Sequence, residues 1–121
     1  MKSTVILLAA LAAASVAGAA AASGHLTDVD YLKANRCRGL AEGLGIGDIA
    51  SLDAMIKSEG RSRVETIYTR GQEELARGKR DAGKSDLKER LSAELNGSCM
   101  AYLGGDSATA SAASRNASTS H

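Results

Sequence analysis

At 121 residues the chain holds one domain at most, and 15 basic against 14 acidic residues leave a formal charge of +1. That charge is too small for broad attraction to nucleic acid or anionic lipid. Phe, Trp and Pro are absent and three Tyr are the only aromatics, so a core must come from aliphatic side chains and no proline breaks a helix.

Met1–Ala22 opens on Lys2, continues through apolar Val5–Ala14 and ends in small residues, the three-part layout of a secretory signal peptide. Ala20 and Ala22 satisfy small-x-small cleavage before Ser23, as do neighbouring alanines. An uncleaved anchor is the weaker reading, because Ala and Gly fill the second half and no basic cluster follows. The expected product is periplasmic or secreted, has no membrane attachment after cleavage and carries no net formal charge once Lys2 is lost. The Ala-rich leader suggests a bacterium.

Residues 23–103 are expected to form a small helical domain. Thr27 and Asp30 approximate a capping box, which predicts a first helix over 28–42 ended by Gly43, Gly45 and Gly47. Val29, Cys37, Leu40, Ala41 and Leu44 share its apolar face, with Asp30, Lys33 and Arg36 intruding. Asp48 is positioned to cap a short second helix on the stripe Ile49, Leu52 and Ile56, stopping at Gly60. Ser62 and Glu65 predict a box for the longest helix, whose stripe is Val64, Ile67, Tyr68, Gly71, Leu75, Gly78 and Ala82. Gly71 and Gly78 on that stripe signal either a closely approaching partner helix or ligand, or a fray or kink. The fourth helix is expected over 86–103, capped by Ser85 or Asp86, with Leu87, Leu91, Leu95, Cys99 and Tyr102 on one face and a stop at Gly104 and Gly105. Residues 104–121 open on Gly104, Gly105 and Asp106 and continue as a run dominated by Ser, Ala, Thr and Asn with one Arg, a composition expected to stay disordered.

Cys37 and Cys99 are the only thiols, and both face inward on their predicted helices. After export they are expected to form one disulfide joining the first and last helices. The fold class that follows is all-α: a small antiparallel bundle of three long helices and one short helix, packed in sequence order and cross-linked by one bridge.

Signals for chemistry are sparse. Histidine occurs only as His25 and His121, and no serine elbow, Walker loop or C-x-x-C knuckle is present. No catalytic, cofactor-binding or metal site is assigned; Glu74 with Arg70 or Tyr68 could support catalysis but is indistinguishable from surface charge. Cleavage before Ser23 would give a chain starting Ser23, Gly24, His25, whose amine, amides and imidazole can surround Cu(II) or Ni(II) in a square plane. An incidental histidine on a frayed end is the favoured alternative. Arg77, Lys79, Arg80, Lys84, Lys88 and Arg90 gather positive charge. Solvated surface, with Glu73–Arg77 and Asp86–Arg90 pairs, is preferred over an anion-binding patch. The expected role is non-catalytic binding or structure, with an unidentified protein partner. A periplasmic stress chaperone, similar only in layout to the acid-activated ones, and an inhibitor of a secreted enzyme are the alternatives.

Overall fold

The computed structural model describes residues 25–47, 49–105 and 110, and among these the structure is helical, with no strand. Helix α1 spans Asp28–Leu44, α2 Ala50–Gly60 and α3 Glu65–Ala82; a 3-10 turn at Ser85–Leu87 leads into α4, Lys88–Asn96, and α5 covers Met100–Leu103. The expected leader, the copper-binding residues Ser23 and Gly24, the capping role of Asp48 and nearly all of the tail lie outside the described residues.

Helix α1 starts where its sequence predicts. The Thr27 hydroxyl accepts from the Asp30 amide at 3.1 Å and donates to Asp30 Oδ2 at 2.9 Å, satisfying one orphan donor of the first turn. The helix runs through Gly43 instead of ending there. Gly45 closes it in the left-handed conformation, φ 66°, while Ile46 N–H reaches Ala41 O at 3.0 Å and Gly45 N–H reaches Glu42 O at 3.3 Å. That is the Schellman arrangement, which places a residue at positive φ. Gly45→Ala is therefore expected to lower stability by about 1 kcal/mol, read as a shift in urea midpoint. Nothing lies within 4 Å of the added Cβ, so an unchanged midpoint would show that the backbone, the sole source of the effect, is not strained.

The buried face of α1 is rotated from the expected one. Val29 is 60% exposed, whereas Asp30, Tyr31, Ala34 and Asn35 are buried. Asp30 can be buried because the Tyr102 hydroxyl, 72 positions along, donates to its Oδ1 at 2.9 Å; a hydrogen-bonded carboxylate offsets part of its desolvation cost. Cys37, Leu40 and Ala41 face inward as expected.

The main pairing is α1 against α3, not neighbours in sequence order; α2 and α3 scarcely touch. Glycines cause this. Ideal Cβ atoms at Gly78 and Gly71 would lie 2.7 Å from Arg36 O and from Tyr31 Cε1, and one at Gly43 would lie 2.5 Å from Ala82 Cβ. A Cβ at Gly39 would overlap the Leu75 carbonyl. Gly71 and Gly78 therefore mark close approach of a partner helix, α1, and α3 continues unbroken through both. The front of α3 overhangs: Val64 and Tyr68 are exposed. Ser62 forms no capping box with Glu65, because its hydroxyl donates backward to Glu59 O at 3.0 Å and Val64 precedes the helix without a side-chain cap.

The fourth predicted helix is three pieces. Neither Ser85 nor Asp86 caps it. It breaks at Gly97, where φ −108° and ψ −98° leave the helical region, at the residue with the poorest helix propensity in the segment. Cys99 N–H nevertheless reaches back to Glu94 O at 3.1 Å, so the register shifts little. Leu91, Leu95, Cys99 and Tyr102 still share the buried side. Cys37 and Cys99 are bonded, S–S 2.07 Å and Cα–Cα 5.5 Å, joining α1 to the entrance of α5.

Candidate functional site

Beside the bridge, Arg36 fastens α1 to two helices. Its Nε and Nη2 donate to the two Glu94 oxygens at 2.7 and 3.1 Å, and Nη1 donates to Asp81 at 3.3 Å. The Glu94 hydrogen bonds hold the Arg36 guanidinium above its ordinary pKa against the opposing effect of burial. Lys84 first, and Arg36 second, hold the Asp81 carboxyl below its usual range. This cluster is structural, since each charge is spent on another element of the bundle.

A second clamp involves Arg63, between α2 and α3. Its guanidinium lies 5.2 Å from the Tyr31 ring centroid, pairs with Glu59 at 2.8 Å and Asp28 at 2.6 Å, and donates to the Leu26 carbonyl. Tyr31 is thereby pinned at the centre of the molecule, with 0% exposure.

Tyr31 is also the floor of an open groove of about 400 Å³. Arg38 joins it from α1. Asp53, Ile56, Lys57 and Gly60 of α2 form one wall with the following Arg61, and Tyr68 and Gln72 of α3 form the other. The α1–α3 seam and the glycine at 60 create the opening: a Cβ on Gly60 would sit 3.0 Å from the Tyr31 hydroxyl and 3.5 Å from the Tyr68 ring. Asp53 is shared by two cations, Arg38 Nη2 at 3.0 Å and Lys57 Nζ at 3.1 Å. Arg61 has no ion pair among the described residues. Positive charge thus exceeds negative around the groove.

Two donors on this surface lack an acceptor. The buried Tyr31 hydroxyl and the buried Arg38 Nε make no hydrogen bond. The Asn35 amide lies near the phenol and donates through Nδ2 to the Tyr31 carbonyl at 2.9 Å. Burial pushes the Tyr31 phenol above its ordinary value; Asn35 and Arg63 oppose the rise and Tyr68 adds to it. The folded chain then keeps this proton at a pH where the unfolded chain releases it, so stability contributed by Tyr31 is lost as pH climbs past about 10. Tyrosinate absorbance during alkaline titration should contain a late component that Tyr31→Phe removes. Complete titration at the ordinary phenol pH, with helicity intact, would contradict this.

The other sequence candidates are placed differently. Cys37 and Cys99 are bonded to each other. Glu74 pairs with Arg77 at 3.1 Å and Arg70 is exposed, so neither joins Tyr68 at the groove. The expected Glu73–Arg77 and Asp86–Arg90 pairs do not form; Asp86 lies in the 3-10 turn, where the i,i+4 geometry is lost. Part of the basic patch is instead neutralised by Lys79–Glu42 at 2.9 Å and Lys84–Asp81 at 3.3 Å. His25 is exposed and lies 3.5 Å from Glu59. Among the described residues no cluster of three ligating side chains could hold a metal, and no helix is long and apolar enough to cross a membrane. Sequence reasoning missed Tyr31, Arg38, Asp53 and Arg61 as a set. The only sequence signal was that a bulky Tyr31 faced a glycine-lined helix.

No protein-family model matches the chain, and neither a curated protein nor a solved structure matches it. The disulfide is compatible with an oxidising compartment.

Proposed function

We propose that the chain is exported through removal of Met1–Ala22 to the periplasm or cell exterior, and acts there as a non-catalytic binding protein whose ligand sits in the Tyr31 groove. The observation that carries this reading is the pair of buried donors, Tyr31 hydroxyl and Arg38 Nε, left without acceptors on the same concave surface. Buried polar groups normally have partners, and an unsatisfied group on a pocket wall is one that a bound molecule can complete. The groove's volume of about 400 Å³ falls within the range of small-molecule sites, about 300–1,000 Å³. The lining includes no histidine, thiol or serine beside Asp53, and both Lys57 and Arg38 engage that carboxylate, which supports binding over turnover.

The test is an amide correlation spectrum of the oxidised chain, recorded against mixtures of cationic, neutral and anionic small molecules. Shifts confined to residues 31, 38, 53–61 and 68–72, with the molecules recovered chemically unchanged, are the expected result. Spectra that never respond at those positions, or conversion of the bound molecule, would refute it. Sequencing the exported product should find a start near Ser23; an intact Met1 in that product would remove the export step.

A further inference from the structure

We infer that the Tyr31 groove selects a small organic monoanion, a single carboxylate on a flat apolar body. The inference rests on the binding reading above and specifies its ligand. Three buried side-chain atoms on the groove lining make no hydrogen bond: the Tyr31 hydroxyl, 0% exposed as a residue, Arg38 Nε and Asp53 Oδ1. The Asp53 oxygen is ion-paired to Arg38 Nη2 at 3.0 Å, so the two whose need is unmet are donor groups. A phenol can also accept, but Arg38 Nε can only donate, and a guanidinium N–H is matched by an anion's oxygen. Charge points the same way. Asp53 already serves both Arg38 and Lys57, and Arg61 at the rim has no carboxylate partner among the described residues, so one further negative charge is accommodated. A polyanion is disfavoured, because Asp53 stands within the same lining and like charge at short range is repulsive. The remainder of the lining is Ile56, Gly60, Tyr68 and Gln72; Ile56 and the Tyr68 ring beside Gly60 give an apolar surface against which a planar body stacks.

The experiment titrates the full oxidised chain, followed by amide correlation spectra, with phenylacetate, its neutral isostere phenylacetamide, and inorganic phosphate as the headgroup alone. Phenylacetate should saturate the signals of residues 56–61 and 68–72, with phenylacetamide and phosphate each at least about tenfold weaker, the factor expected for one charge-assisted hydrogen bond. Arg61→Gln and Tyr31→Phe should each weaken phenylacetate about tenfold, and Arg61→Gln should leave phenylacetamide unchanged. Arg61 is exposed and makes no ion pair, so its variant should melt with the parent and carries the test if Tyr31→Phe folds poorly. Phenylacetamide binding the groove as tightly as phenylacetate overturns the anion selectivity while the binding reading stands. Phosphate matching phenylacetate overturns the apolar body. Phenylacetate affinity indifferent to both substitutions places the anion elsewhere and overturns the assignment, and no groove response to any probe sinks the assignment and the binding reading together.

Discussion

Reducing the Cys37–Cys99 bond, with the rest of the chain unchanged, should destabilise the fold by about 4 kcal/mol, the loop-closure value for a sequence separation of 62. A domain of this size loses roughly 15–30 °C of melting temperature for that change. The loss falls on a last third of the chain that little else holds. Helix α4 has nine residues and α5 four, lengths that are not stable alone, and they are held by the side chains of Leu91, Leu95 and Tyr102 and by the Arg36–Glu94 pair. The α1–α3 seam does not pass through the bridge. Hydrogen exchange after reduction should therefore rise most at residues 88–103 and least at the glycine contacts of α1 and α3. Cys37→Ala with Cys99→Ala should reproduce the loss without burying new hydroxyls. Two free thiols per chain at an unchanged melting temperature would show that the staple contributes nothing.

The parts of this fold legible in the sequence are those set by local periodicity. Leu91, Leu95, Cys99 and Tyr102 keep one side even across the Gly97 break, and Leu52 and Ile56 bury as their spacing requires. The bridge was legible because two inward-facing thiols had no other partner to choose. What periodicity could not supply was the rotation of α1. Asp30 is inside and Val29 outside because of a hydroxyl from Tyr102, a contact that no window of neighbouring residues contains. The groove was hidden for the same reason. Its lining comes from three helices, and Tyr68, which reads as core on the α3 stripe, stands 47% exposed at its wall. Cap motifs failed where a competing local acceptor was closer, as when Ser62 donated back to Glu59 O instead of opening α3.

Gly39→Ala is expected to lower stability by about 2–3 kcal/mol, the usual cost of overpacking a close contact. This reverses the ordinary sign, because the same change in a solvent-facing helix interior gains up to about 1 kcal/mol. The new methyl would meet the Leu75 carbonyl and lie 3.1 Å from Lys79 N, and both are helix backbone that no rotamer change can withdraw. Relief requires α3 to move away from α1, which also loosens the Gly78 contact, where an added Cβ would lie 2.7 Å from Arg36 O. Arg36 precedes Cys37 and holds Glu94 and Asp81, so separation along this seam is transmitted to both polar ties. Gly78→Ala should consequently cost a similar amount, and the double variant should cost less than the sum, because one displacement relieves both clashes. Gly104→Ala is the internal control: its φ is −73° and nothing lies within 4 Å of the added Cβ, so it should be neutral or slightly stabilising. Denaturant midpoints that order Gly39→Ala with Gly104→Ala would mean that the two helices do not meet backbone to backbone, and the seam that positions Tyr31 under the groove would have to be redrawn.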